Sequence, residues 1–436
     1  MQNLLYNIII LCERISWEEN MPSVKNIVIV NDFGSINGGA AQVAIHTALG
    51  LARLGYRVYY FCAVPPVDRE LAANSNIQVV CTQQADLLSS GSRFLAALQG
   101  LWNRKSARQF GQLLATLSPE ETVIHVHGWT KALSHSILYA AQRKKFLMVL
   151  TLHDYFIACP NGGFFNYPRQ QNCPLRALSV PCILTHCDSR NYAHKLWRVV
   201  RGELQKYIAK VPAGIKYYIS VSHKSEDILA PYLPKNAKVF HLPSPVSITK
   251  DSRIMAEENR FLLGIGRLSP EKGFSLLAQS AAELEKEVVF IGEGEKKEEL
   301  QKINPKATFT GWLSPEEIRE KMKEARVLVF PSLWHETQGL VVQEAAANGI
   351  PALVSDSSAA SELIENNVTG VLFRSNDLED LKEKLHLFDD DVFVQRLSQN
   401  AYEKFWANNP SESDYFGSLV STYDRALAEK KEKLKK

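Results

Sequence analysis

The sequence predicts an α/β protein built from two parallel-sheet domains of Rossmann type, on three observations. At 436 residues the chain exceeds the size at which one hydrophobic core keeps growing, so two domains of about 200 residues each are expected. Short apolar runs alternate with amphipathic stretches in two successive series. Between the series, Pro243 to Asp251 has two prolines and no periodicity, which reads as a linker. Composition is that of an ordinary globular protein, 45% hydrophobic and 22% charged. A formal net charge of only +3 implies no bulk polyanion partner, so no nucleic acid is expected.

Met21 directly precedes the first strand-like segment. Residues 1–20 are therefore read as an extension, either a mis-assigned start or a loose tail. Their apolar patch, Leu4 to Cys12, is far short of the roughly 20 residues a spanning helix requires, and it lacks the basic flank of a signal peptide. Asn26 to Asn31 reads as a buried strand, followed by a loop through Gly34, Gly38 and Gly39. The amphipathic run Ala41 to Leu54, ended by Gly55, and the strand Val58 to Phe61 complete a Rossmann-type unit. The loop is not G-x-G-x-x-G, and the acid a dinucleotide ribose requires is not evident, which argues against a nicotinamide site. Thr122 to His127, a helix near Lys131 to Arg143, and Phe146 to Leu152 continue the alternation. Tyr217 to Val221 and Lys238 to Leu242 close the first domain, residues 21–245.

The second domain, residues 246–400, has strands at Phe261 to Gly264, Val288 to Ile291, Thr308 to Phe309, Val327 to Phe330 and Ala352 to Val354. Ser314-Pro315-Glu316-Glu317 is a capping box with proline at the first helical position. From Asp389 onward the chain is helical, and residues 401–436 form a terminal helix with a basic, solvated tail.

The stretch from Phe330 to Asp356 is the candidate centre of function. A strand stops at Pro331, a loop carries Glu336, and a helix runs from Gly339 to Asn348 until Gly349 and Pro351 end it. Unpaired N–H groups and the helix dipole make that N-terminus a seat for a phosphate. Glu344 lies one turn in, on the face of Leu340. Two carboxylates would repel a diphosphate unless they bind neutral hydroxyls, so the sensible ligand is a nucleotide sugar, with Glu344 on the ribose and Glu336 on the hexose. A solvated helix face is the plainer alternative.

The spacing, the Gly339 turn and the tail Glu-Ala-Ala-Ala-Asn-Gly-Ile-Pro resemble the donor-binding signature of glycosyltransferase family 4, retaining enzymes of the GT-B fold. The resemblance covers Asn26 to about Phe405 and is densest from Gly264 to Phe373. It implies two Rossmann-like domains facing across a cleft, with the terminal helix crossing back onto the first. It implies that Arg267 and Lys272, after the glycine-ended strand Gly264-Ile265-Gly266, bind the donor diphosphate, whose growing charge needs stabilising. Glu293 and Gly294, Trp312 and Leu313, and the run Thr337, Gln338, Gly339 and Leu340 match positions that meet the donor. Gln338 stands where the family often has an aromatic. His153 aligns with the histidine placed near the donor sugar, and Gly38 and Gly39 with the glycine loop that lets acceptor and phosphate approach. His127 is a candidate for the acceptor side, with a satisfied core histidine as the equal alternative.

The expected activity is retaining transfer of a hexose from a UDP- or GDP-sugar to a glycan or lipid-linked acceptor, in cell-surface polysaccharide synthesis, with no cofactor required. An epimerase or phosphorylase on the same fold, or a non-catalytic glycan- or metal-binding protein, remain the alternatives.

Two features stand outside that reading. Cys159, Cys173, Cys182 and Cys187 fall in an insertion, residues 155–190, rich in Gly, Pro and Asn. Seven cysteines in the whole chain are too few for a secreted disulfide scaffold, so a reducing cytoplasm is expected. There the cluster reads as a structural zinc site or as free buried thiols, with His186 able to replace one ligand. Ser189 to Lys210 reads as a basic amphipathic helix carrying Lys195, Trp197, Arg198, Arg201 and Lys206. It fits peripheral contact with an anionic membrane or a solvated face.

Overall fold

A computed structural model describes residues 24–246, 248–408 and 411–435; the extension expected at residues 1–20 lies outside them. The first sheet contains β1 (Asn26–Val30), β2 (Arg57–Cys62), β3 (Ile77–Cys81), β4 (Thr122–Val126) and β5 (Leu147–Thr151). After a small antiparallel hairpin, β6 (Phe165–Asn166) with β7 (Gln171–Asn172), it resumes with β8 (Tyr217–Ser220) and β9 (Lys238–His241). Its order is β3-β2-β1-β4-β5-β8-β9, all parallel. The second sheet contains β10 (Phe261–Ile265), β11 (Val288–Ile291), β12 (Thr308–Gly311), β13 (Ala325–Phe330), β14 (Ala352–Ser355) and β15 (Gly370–Phe373), in the order β12-β11-β10-β13-β14-β15. Both sheets reverse direction of growth beside their first strand, so each has a switch point, between β1 and β4 and between β10 and β13. Ligand crevices open at the carboxyl ends of the strands at such points.

The central strands are buried on both faces, as apolar runs such as β4 and β13 require. Besides the β6–β7 hairpin, the strands missed in the sequence, β3 and β15, are both edges of the large sheets. The burial of β3 falls off after Ile77, and β15 is only four residues long and begins on Gly370. The helix expected near Lys131 begins only at Ser136. Ahead of it the buried Asp32 carboxylate accepts the N–H groups of Lys131, Ala132 and Leu133 at 2.8–2.9 Å and holds them as a turn.

Two helices end the chain. Asp391–Asn408 belongs to the second domain, with Val394 and Leu397 in its core, so that unit runs past residue 400. Glu412–Lys435 crosses back. Its Tyr415, Phe416, Leu419, Tyr423 and Leu427 pack in the first-domain core, and the Tyr423 hydroxyl lies 2.6 Å from His125 Nδ1. Glu429 near its end pairs with Lys216 and Lys238, and Lys430 donates to the Pro119 carbonyl, so the basic tail is tethered rather than wholly solvated. No helix among the described residues is long and apolar enough to cross a membrane.

The helix expected to present a basic face is Tyr192–Glu203, continued by a π-helical turn, Leu204–Ile208. Its basic residues turn inward. Lys195 is fully buried, Arg201 donates to the carbonyls of Thr130 and Pro160, Arg198 pairs with Asp188 at 2.7 Å, and Trp197 donates to the Ala97 carbonyl. The outward face carries Leu196, Val200, Tyr207 and Ile208, with Lys206 as the exposed cation. The basic-face expectation is thus reversed: internal carbonyls, a carboxylate and thiols outcompete water for these cations.

Candidate active site between the domains

The two switch points face each other, and each supplies a helix N-terminus without a side-chain cap. In the first domain β1 leads to Gly38, whose φ of 148° suits glycine, and then to the helix Gly39–Arg53. In the second, β13 leads to Gly339, left-handed at φ 96°, and the helix Leu340–Ala347. Neither helix has an acid in its first turn. A Cβ on Gly39 would lie 3.3 Å from Leu340 Cδ1, so the bare glycine sets how closely these ends approach. Free N–H groups of both therefore meet in one place, a site for anionic oxygens.

Glu336 stands at that place. It is buried, with a left-handed backbone (φ 46°) uncommon outside glycine. Its carbonyl accepts the Tyr155 hydroxyl at 2.7 Å, and the next residue, Thr337, donates to the His153 carbonyl at 3.0 Å. Those two bonds join the loop to the end of β5 and hold the strained residue across the domain boundary. The Glu336 carboxylate accepts Ser332 Oγ at 2.7 Å and Lys272 Nζ at 2.5 Å. Lys272 also sits over the rings of Phe330 and Trp334.

Lys272 is placed by the turn that follows β10. Gly266, at φ 149°, ends the strand, and Gly273, left-handed at φ 68°, ends the single turn Pro270–Lys272. A Cβ at Gly273 would come within 2.0 Å of the Pro331 carbonyl, so only glycine lets this turn lie against the Glu336 loop. Arg267, in the same turn, is exposed. Gly294 is equally constrained, since a Cβ there would meet the Leu268 carbonyl at 2.2 Å. This close backbone contact joins the Arg267 loop to the loop carrying Glu293. The Glu293 side chain itself reaches outward to Lys297 at 3.1 Å. Trp312, 69% exposed, and the half-buried Leu313 follow β12 and lie at the same end of the sheet.

Glu344 is half-buried, and burial pushes its carboxyl above the usual range against the opposing effects of Gln42 on the first-domain helix and of the Arg319 charge. Gln338 was expected to meet the donor, but its amide is engaged elsewhere. It pairs in both directions with the backbone of Ser244, accepting at 3.0 Å and donating at 2.8 Å, and so fastens the loop to the interdomain linker.

On the first-domain side, His153 follows β5 and His127 follows β4. His127 Nδ1 and His153 Nε2 lie 2.9 Å apart. Burial drives the His153 imidazole down to about 4 and His125 to about 3, and holds His127 well below its ordinary value. All three are neutral near pH 7, and the ring of His127 stacks on that of His153 and lies tilted against that of His125. Asp154 beside them is pushed up to about 6 by burial. Sequence reasoning missed Tyr155, Ser332 and Gln42. Tyr155 and Ser332 flank expected residues, but their role depends on partners distant in sequence.

Residues 248–404 match the family described as glycosyl transferases group 1. The second domain belongs to that family. The chain is 35% identical over 158 residues to a sulfoquinovosyl transferase of Arabidopsis thaliana, covering 34% of this chain and 31% of that protein. A further 121-residue match, at 35% identity, is to a GDP-mannose-dependent alpha-mannosyltransferase of Mycolicibacterium smegmatis, covering 28% and 32%. The chain thus spans about a third of the length of these curated relatives. Over nearly its whole length it is similar in structure to the sucrose-phosphate synthase of Thermosynechococcus elongatus, with a TM-score of 0.69 and 18% identity over 93% of this chain and 99% of that one. At that identity the likeness concerns the fold, and the expected GT-B arrangement is the one found. The group 1 domain contains Arg267, Lys272, Glu336 and Glu344; His153 and the Gly38–Gly39 loop come from the other domain.

Proposed function

We propose that this protein is a retaining, metal-independent glycosyltransferase that moves a hexose from a UDP- or GDP-sugar to a hydroxyl of a glycan or lipid-linked acceptor in cell-surface polysaccharide synthesis. The observation that carries this reading is the Lys272–Glu336 pair, set where two side-chain-free helix N-termini meet and beside a neutral histidine. Breaking the sugar–phosphate bond releases a nucleoside diphosphate, whose new charge needs donors already in place. Arg267, Lys272 and the two N-termini supply them. When the diphosphate enters, Lys272 turns from Glu336 to phosphate oxygens, and Glu336 is left to accept hydroxyls of the hexose. Glu344 accepts those of the ribose.

His153 is neutral, so it orients the sugar by hydrogen bonding without repelling the positive charge that develops at the anomeric carbon. The leaving phosphate receives the acceptor's proton on the same face, which gives retention. The exposed apolar residues Phe94, Leu95 and Leu98 of the helix Arg93–Leu101, which packs on the helix Tyr192–Glu203, join Leu196 and Val200 as the surface for a membrane carrying a lipid-linked acceptor. The test is turnover of UDP- and GDP-hexoses, followed by release of nucleoside diphosphate, with the product anomer read by NMR. A protein that neither binds a nucleoside diphosphate nor consumes any such donor, or an inverted product, overturns the reading.

A further inference from the structure

We propose that His223, Glu226 and His241 bind a divalent metal ion of the zinc class, which braces the first domain where the interdomain linker leaves it. Each side chain offers one ligand atom, two imidazole nitrogens and a carboxylate oxygen in all, and these atoms lie within 4.8 Å of one another. Among the described residues this is the one group at that spacing. The cysteines read from the sequence as a zinc site or as free buried thiols do not form another. Cys159, Cys173, Cys182 and Cys187 are free thiols, three of them buried, and the group lying against Cys182 and Cys187 is Lys195 Nζ, at 3.5 and 3.2 Å.

The backbone brings the three ligands together. Glu226 follows His223 by three residues on the helix His223–Leu229, so the two side chains share one face. His241 ends β9, the edge strand, and pairs in register with Ser220 of β8, three residues before His223. The Leu242 N–H donates to the Ser220 carbonyl at 2.9 Å and holds that register to the strand's end. Between strand and helix the chain is fixed by buried serines. Ser220 Oγ donates to the Ser222 carbonyl at 2.8 Å, and Ser222 Oγ caps the helix by accepting the Ser225 N–H at 3.1 Å. A held backbone thus presents a ring from the strand end against a ring from the helix start, and the two imidazoles stack with centroids 3.9 Å apart and planes 7° from parallel.

Two imidazoles and a carboxylate suit zinc, nickel or copper better than magnesium or calcium, which prefer oxygen alone. Zinc bound at about 2.0–2.2 Å holds neighbouring donors about 3.3 Å apart. His223 and His241 are exposed and Glu226 is half-buried, so rotation of the side chains draws the donors to that distance while the backbone stays in place. The same exposure leaves a further coordination position to water. The ion would act at the domain boundary. The His223 N–H donates to the Glu362 carboxylate of the second domain at 3.0 Å, and Lys224 Nζ donates to the Asp356 carbonyl at 2.6 Å. Ser244, three residues beyond His241, is tied to Gln338 at 3.0 Å. Cross-linking His241 to the helix therefore joins the strand from which the linker departs to the helix that touches the second domain. None of the three ligands is among the residues proposed to bind the donor, so the site is independent of the transfer reaction.

The experiment is isothermal titration of zinc into the full, untagged, metal-free chain with its thiols kept reduced. About one zinc should bind per chain at micromolar concentration, and excess magnesium should not displace it. His241→Ala and Glu226→Gln, at exposed and half-buried positions, should fold as wild type and each weaken binding by at least about tenfold. A wild-type chain that takes up no zinc, or variants that bind it as wild type does, overturn the site. Cobalt(II) in place of zinc reports the donors: an intense sulfur-to-cobalt charge-transfer band would assign the ion to the cysteines and overturn the site as well. The brace is read by limited proteolysis of the linker, residues 243–251, which zinc should slow at least about threefold in wild type and leave unchanged in His241→Ala. Cleavage that zinc does not slow in wild type overturns the bracing role. Nucleoside diphosphate binding, measured on the same samples, separates these results from the fate of the proposed transfer activity.

Discussion

Lys272 Nζ donates to Glu336 Oε1 at 2.5 Å, joining two residues from loops that only the glycine at 273 allows to touch. The cation proposed for the diphosphate and the acid proposed for the sugar thus neutralise each other. Both side chains are largely removed from water, so each charge offsets the burial of the other.

Lys272→Ala therefore has two expected effects. It should lower kcat/KM for the donor by about 10- to 100-fold or more, since each charge-assisted bond to a phosphate contributes about 1.5–3 kcal/mol. It should also destabilise the fold measurably, because Glu336 is left buried with Ser332 alone. Arg267→Ala, at an exposed position, should show the kinetic loss while its denaturation midpoint stays at the wild-type value. Full activity in either variant removes that residue from the diphosphate site.

Glu336→Gln and Glu344→Gln should separate the two ends of the donor. The first should impair turnover of the nucleotide sugar by at least tenfold while affinity for free nucleoside diphosphate stays within about twofold; the second should weaken the free nucleotide itself. Isothermal titration with the diphosphate alone checks the division. Equal losses of affinity in both variants would refute it.

The three neighbouring buried histidines make stability acid-sensitive in a defined window. Burial holds His125 near 3 and His153 near 4, with His127 also far below 6.5. An unfolded chain takes up these protons near pH 6.5 while the folded one does not, so stability falls as pH drops from about 6.5 toward 4. Glu429 acts lower. Burial raises its pKa, but the Lys216, Lys238 and Tyr217 hydrogen bonds outweigh this and bring it from 4.5 to about 2, so its contribution is present above pH 4.5 and is lost as pH falls toward 2. Denaturant midpoints measured from pH 7 to pH 4 should decline. His153→Gln should flatten the decline, and a slope equal to wild type would contradict the burial assignment.

Charged substitutions on the apolar ridge should release the protein from lipid. Phe94→Asp with Leu196→Asp should reduce sedimentation with anionic liposomes at least fivefold, because apolar contact there is lost outright. Charge reversal at Arg201 should instead destabilise the fold, since its guanidinium is spent on the Thr130 and Pro160 carbonyls. Sedimentation unchanged in the Phe94/Leu196 double variant would exclude this face as the membrane contact.

The sequence by itself determined the two Rossmann-type units, the linker between them and the family of the second. Central strands buried on both faces write themselves as apolar runs, and the backbone approaches at Gly273 and Gly294 leave only glycine as an option. The spacing of Arg267, Lys272, Glu336 and Glu344 was legible for the same reason, since each is fixed by the local strand–turn–helix that carries it. The tertiary structure alone decided where ambivalent side chains end. Gln338 sits among residues expected to meet the donor yet turns to Ser244, and the cations of the helix Tyr192–Glu203 turn inward to carbonyls, to Asp188 and to the thiols. Periodicity reports which face of an element is apolar. A polar group's partner depends on which distant segment offers the better hydrogen bond once water has been excluded, and that is settled only when the segments pack together.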